Sequence, residues 1–392
     1  MRAADQHPEP RVRLLGHRPP LDGIRALAFL GVFVGHAALV AGGDPGAVAM
    51  FVFFALSGFL ITSLLVGERF TTGRVALRRF YGRRALRLLP ALYLFLAIWL
   101  LVMLMAGGFP WATSVPQGGP GGPEPLHTAL HAVWVAACYV MNWAEVLALF
   151  HHYMAIGHLW SLAVEEQFYL VWAPLVVALC AWRLRAVTAA ALALATGSLL
   201  EVFLLYHHGQ GELRVYMGTD TRAAAFLLGG ALAVTWARGG LRWLEQQAPT
   251  LVLAGLAGLG LLWAAGPWSA AGAVLGPTNA TSAFLARWVV ATFAAPLLVL
   301  AAVTRPTGPL ARLLSGRLLG YLGSRSYALY LWHYVFLTWF RSLGTPGVVL
   351  ALVSTLAAAE LSWRLVEQRA LGLKRRLTSL PDPAPTPSHL AR

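Results

Sequence analysis

Between residues 21 and 367 the chain repeats one device: an apolar stretch of roughly 17 to 24 residues, long enough for an α-helix to cross about 30 Å of hydrocarbon. Such stretches stand near 21–41, 47–66, 88–107, 160–182, 186–205, 222–237, 250–266, 286–303, 321–340 and 346–367. With 58% hydrophobic and 12% charged residues, the chain is too apolar for a water-soluble domain. Backbone polar groups in lipid must be satisfied within the span, which leaves helices or closed barrels, and stretches this long fit only helices. The expectation is an all-α, polytopic transmembrane bundle of about ten spans.

The net charge of +14 would suit a nucleic-acid binder, but its distribution points elsewhere. With the N-terminus inside and ten alternating helices, 23 of the 30 Lys and Arg fall in inner segments. Basic residues flanking helices on the cytoplasmic side set orientation, so both termini are read as cytoplasmic, with no nucleic-acid partner. This divides the chain into a basic arm (1–20), a transmembrane domain (21–370) and a basic, Pro-rich tail (371–392), disordered from Pro381. The apolar segment 126–150 would reverse the charge bias if it crossed, so it is assigned to an interfacial or re-entrant helix on the outer side. No secretory signal peptide is read at the N-terminus, because the first apolar run carries Arg and His and lacks a small-residue cleavage site. Cys138 and Cys180 lack metal-binding spacing and read as buried thiols.

Ionisable groups inside a bilayer are costly, so they are functional candidates by default. Arg25 and His36, eleven residues apart, share one face of the first helix at different depths, about 16 Å apart. His36 is the candidate base; packing of a lone imidazole is the alternative. Glu165 and Glu166 open the fourth span; neighbours on a helix diverge by about 100°, so only Glu165 is expected to share a face with Tyr169 and Trp172. A first-turn role facing the macrodipole, with Ser161 as cap, also stands. Asp220 caps the sixth span or, with Arg222, orients a polar acceptor at the outer mouth. Between the second and third spans lie seven arginines, including Arg83, Arg84 and Arg87. Guanidinium forks bind phosphate in pairs, which suits a nucleotide-bearing donor; an anionic-lipid anchor is the competing role. In the ninth span Ser326, Tyr330 and His333 overlap in phase. In the last, Glu360 and Glu367 share a face, Glu367 beside Arg364 and Arg369. His151, His152 and His158 lack a carboxylate or thiolate partner at metal-ligand spacing, so no metal is expected.

Several strings taken together resemble the acyltransferase 3 family, multi-pass bacterial O-acyltransferases that modify surface glycans and some macrolides. They are LDGIRALAFLGVFVGHA, FVFFALSGFLIT, FYGRRALRLLPALYL, HLWSLAVEEQFYLVWAP, MGTDTRAAAFLLGG, YLGSRSYALYLWHYVF and ELSWRLVEQ, in that order along nearly the whole chain. The family's Arg, ten residues, His pattern falls on Arg25 and His36, and its Arg-x-x-Arg on Arg84 and Arg87. Its Trp-Ser-Leu and Glu signature falls on Trp160, Ser161, Leu162 and Glu165, and its later His on His333.

The resemblance implies a bacterial, multi-pass protein of the inner cell membrane. It implies acyl-CoA, with acetyl-CoA foremost, as donor substrate without a tightly bound cofactor. Its phosphates would rest on Arg83, Arg84, Arg87 and Arg25. The acceptor would be a hydroxyl of a glycan, a lipid-linked sugar or a macrolide, met by Asp220, Arg222, His333, Trp160 and Tyr169. His36, Glu165 and Arg25 would carry the chemistry, with Glu165 orienting the imidazole. Some relatives append a soluble hydrolase-like domain, and this sequence reads as a stand-alone version. Abundant Ala and Arg, with Lys374 the only lysine, fit a GC-rich bacterial genome such as an actinomycete's. A proton-coupled transporter remains the other class, although no inverted repeat is visible. A non-catalytic scaffold is a third.

Overall fold

The computed structural model describes residues 13–37, 45–105, 125–147, 156–209, 212–240, 277–304 and 308–372, with 246–247, 250, 254–255 and 257. The described residues are almost wholly helical and contain no strand. Helix α1 (Pro19–His36) begins on two prolines, whose fixed φ and missing N–H suit a first turn where those donors have no partner anyway. It is followed by α2 (Pro45–Thr72) and α3 (Leu77–Met105).

The segment 126–150, set apart in the sequence, forms two pieces, α4 (Pro125–Ala137) and α5 (Met141–Val146). They are broken at Tyr139, whose φ of 55° lies in the left-handed region that ends a helix. Neither piece is long enough to cross a bilayer. Beyond a 3₁₀ turn (Gly157–Leu159) come α6 (Trp160–Trp182), α7 (Leu184–His207), α8 (Glu212–Met217) and α9 (Thr219–Ala237). The chain closes with α10 (Pro277–Thr304), α11 (Pro309–Leu314), α12 (Arg317–Ser324), α13 (Ser326–Trp339) and α14 (Gly344–Ser362), which runs into a π turn (Trp363–Glu367).

Helix α2 is the hub, packing on α1, α6, α9 and α10. Its closest crossing is with α9. A Cβ on Gly58 would stand 1.9 Å from the Phe226 carbonyl oxygen, and one on Gly229 would stand 2.0 Å from that of Ala55. Lipid supplies no hydrophobic drive between helices, so close approach over small residues carries more of the association. Outward faces carry exposed Leu101, Val171, Phe203, Phe293 and Val353.

Six helices among the described residues are long and apolar enough to cross a membrane: Pro45–Thr72, Leu77–Met105, Gly157–Trp182, Leu184–His207, Phe284–Thr304 and Arg341–Gly372. Four of the expected spans fall outside that set. Half of α1 and most of α9 are buried, and each carries two charged residues, Asp22 with Arg25 and Asp220 with Arg222, that lower the hydropathy of its run. The stretch 321–340 is not one helix but α12 and α13, interrupted at Arg325, whose guanidinium donates to Glu360 at 2.5 Å. Most of 250–266 lies outside the described residues, as do His151, His152 and the tail from Pro381.

The cysteines are corrected too: Cys138 is exposed and Cys180 half-buried. Apolar flanks do not imply burial in a bundle whose outer surface is itself apolar.

Candidate active site

A cavity of about 710 Å³ lies among α1, α2, α3, α6 and α13. Six arginines line it (Arg25, Arg74, Arg79, Arg83, Arg84 and Arg87) against three glutamates (Glu68, Glu165 and Glu166). Its apolar wall includes Phe53, Phe54, Ile61 and Leu64, and Tyr139, Ser161, Tyr169, Tyr327 and Tyr330 supply hydroxyls.

The α2–α3 turn brings its basic residues to one end of this space. Arg83 is tied to Glu68 at 2.8 Å, and Arg25 to Asp22 at 2.5 Å. Deeper in, Arg84 forms a forked ion pair with Glu166, stands 4.0 Å from Glu165, and has its guanidinium carbon over the Tyr169 ring, 3.9 Å from the centroid. Glu165 Oε1 accepts from the Tyr169 hydroxyl at 2.5 Å and from the Ser57 hydroxyl at 2.8 Å. Arg87 has no hydrogen-bond or ion-pair partner among the described residues and is open to solvent.

The expectation that one carboxylate of the pair faces away is corrected here. Both reach the cavity, because one guanidinium spans the angle between them. Trp172 instead donates its indole N–H to Thr62 at 2.9 Å. Ser161 is not a cap either: its hydroxyl meets the Tyr330 hydroxyl at 2.5 Å.

His36 does not line the cavity. It lies exposed at the end of α1, where Nδ1 is 2.8 Å from Nε2 of His333. Its partner is therefore His333, while Glu165, expected beside it, is held by Ser57, Tyr169 and Arg84. His333 is fully buried, packed on Phe29, Phe33 and the ring of His158. His158 approaches the Leu331 carbonyl through Nε2 at 3.2 Å. The backbone oxygen of His158 accepts from the Tyr330 hydroxyl at 2.6 Å, and the Tyr330 carbonyl lies 2.7 Å from Nδ1 of His333. One layer, Tyr330 with Ser161, thus separates the cavity from the three histidines.

The five residues expected at the acceptor do not converge. Tyr169 is in the cavity and His333 behind it. Asp220 lies within the first turn of α9, not at its cap, and its carboxylate takes both terminal nitrogens of Arg214, at 2.9 and 2.5 Å. Arg222, expected at an outer mouth, is 0% exposed and sits among Phe51, Phe54, Trp160, Tyr216 and Trp288. Its Nε donates to the Tyr216 carbonyl at 2.6 Å, and Trp160 is a wall of that aromatic box. Cation–π attraction is strongest where the cation is desolvated, which accounts for a box built this way. Glu360 holds both Arg325 and Arg364, leaving Glu367 near Ser362. No cluster of three metal-ligating side chains occurs among the described residues.

Nothing in the spacing or motifs singles out Ser57, Tyr139 or Tyr327. Tyr139 lies inside an apolar run that is continuous in the sequence, and His158 enters the sequence reading only as a metal-ligand candidate.

A family model described as an acyltransferase domain matches residues 19–363. The chain belongs to this acyltransferase family. Curated relatives of the acyltransferase domain include a Bacillus subtilis protein provisionally named peptidoglycan O-acetyltransferase YrhL, 32% identical over 366 residues, covering 89% of this chain and 54% of the relative. O-acetyltransferase OatA of Staphylococcus aureus is 30% identical over 372 residues, covering 89% and 56%. Peptidoglycan O-acetyltransferase OatA of Listeria monocytogenes is 29% identical over 375 residues, covering 89% and 55%. The chain spans about half the length of the curated relatives it matches. No solved structure matches it.

Proposed function

We propose that this chain moves an acetyl or other short acyl group from acyl-CoA to a hydroxyl of a glycan of the peptidoglycan class, with His36 as general base. The donor half of this reading rests on the cavity: its lining cations outnumber its carboxylates two to one, and Arg87 is left for an incoming anion. The relatives' names supply the acceptor class. Membership of an acyltransferase family does not favour the transporter reading.

In this mechanism the donor enters at the α2–α3 end, its phosphates on Arg87, Arg83 and Arg25 and its apolar arm along Phe53, Ile61 and Leu64. Arg84 is already committed to two carboxylates and acts as a cross-brace between α3 and α6. The thioester comes to rest at Tyr330 and Ser161 and must pass that pair to meet His36. His36 takes the proton of the acceptor hydroxyl as its oxygen attacks the thioester carbonyl carbon. The carbon–sulfur bond then breaks, and the leaving thiolate takes the proton back from the imidazolium. General-base help of this kind is worth about 10² to 10⁴ in rate and needs a neutral imidazole at the working pH.

The test is acetyl-CoA with N-acetylglucosamine oligosaccharides in detergent, following CoA release and product mass. His36→Ala is expected to lower turnover about 10²-fold or more with unchanged melting. Near-normal turnover in that variant would remove His36 as base, and acetylation that ignores acetyl-CoA would remove the donor.

A further inference from the structure

We infer that His333 is a positioning residue that fixes the tautomer of His36, directing the unprotonated Nε2 of His36 to the reacting hydroxyl. The inference rests on His36 being the base and adds what makes it one.

The Tyr330 carbonyl oxygen can only accept a hydrogen bond. It lies 2.7 Å from His333 Nδ1, so Nδ1 carries a proton. His333 is 0% exposed, with aromatic rings on its faces and no carboxylate bonded to it, so it is neutral. A neutral imidazole protonated at Nδ1 presents a lone pair at Nε2. That lone pair faces His36 Nδ1 at 2.8 Å, so His36 must donate there. Its one remaining ring nitrogen, Nε2, is then bare.

The ring geometry fits a bond along this line. The centroids are 5.1 Å apart with planes 13° from parallel. A five-membered ring with bonds of about 1.35 Å has a radius of roughly 1.15 Å. Two radii added to the nitrogen separation reproduce the centroid distance, so the nitrogens point at each other along the line of centres and the rings are coplanar, not stacked. The relay runs from backbone carbonyl to His333 to His36, the part a carboxylate plays where a base is oriented by a third group. Here the orienting group adds no charge.

The test compares amides that mimic one ring nitrogen each. His333→Gln places an oxygen near the old Nε2 position and keeps the acceptor; His333→Asn reaches only the Nδ1 position; His333→Phe has neither. Nitrogen-15 NMR of histidine-labelled full chain, with the His36 signal assigned by its loss in His36→Gln, reads the tautomer directly. Wild type and His333→Gln are expected to show Nδ1 protonated and Nε2 bare. His333→Asn and His333→Phe should lose that bias, with kcat lower by about 10²-fold, KM changed by less than about threefold, and His333→Gln recovering to within about tenfold of wild type.

A wild-type His36 protonated at Nε2 would overturn the inference even if every His333 variant failed to fold. So would full kcat in His333→Phe alongside an inactive His36→Ala, which leaves the base assignment standing. Normal turnover in His36→Ala removes the base itself, a result separable from the tautomer reading.

Discussion

At the scale of single residues, the cavity separates cations that have partners among the described residues from Arg87, which has none there. Arg87 is expected to act only on a bound anion. Losing one charge-assisted contact costs about 1.5 to 3 kcal/mol, so Arg87→Ala should raise the acyl-CoA KM about tenfold or more while kcat holds, measured by CoA release. Arg84 should behave in the opposite way. Its side chain is 17% exposed and faces two carboxylates, so Arg84→Ala leaves Glu166 without its ion-pair partner and brings two acids together with less opposing charge. A stability loss of about 1 to 3 kcal/mol is expected in a detergent melt, partly recovered by adding Glu166→Gln. If Arg84→Ala changes only KM, the brace assignment fails. Sequence phase could list these arginines but not sort them, since the counter-charges of Arg83 and Arg84 sit on other helices.

At the scale of elements, α2 and α9 meet over glycines whose missing side chains set their distance. Gly58→Ala pushes a methyl group into the backbone of α9, which cannot rotate away, and should cost about 1 to 3 kcal/mol with earlier melting. Gly82 of α3 has nothing within 4 Å of a built Cβ, so Gly82→Ala should be neutral or stabilise by up to about 1 kcal/mol. Equal melting of the two variants would show that the α2–α9 crossing is not as close as described. Helix positions were readable from apolar length, because a span must satisfy its own backbone. The break at Arg325 was not, because it coincides with an ion pair to Glu360, 35 residues on, inside a run that stays apolar on both sides.

At the scale of the whole molecule, charge acts through the cavity and through orientation. An anionic donor drawn to a basic mouth should lose affinity as salt rises, so the acyl-CoA KM is expected to climb between low and physiological ionic strength, with kcat moving less. A flat KM would count against a phosphate-binding cavity. Orientation is tested separately: with both native cysteines replaced by serine, Arg74→Cys in the exposed α2–α3 turn should react with an impermeant maleimide only after the cells are opened. Labelling of intact cells would invert the topology.

A bundle of membrane-length helices was legible in the residues alone, because length and hydropathy are local properties that lipid enforces one segment at a time. Motif order likewise carried the family without a structure. Which ionisable groups are neighbours emerges only from how the helices pack. His36 meets His333 across 297 residues, Arg84 joins both glutamates of α6, and Arg222 is enclosed by aromatic rings away from any mouth. Helical phase says which way a side chain leaves its own axis, whereas partnership depends on the separation and rotation of two axes, and those are set by the packing of the whole bundle.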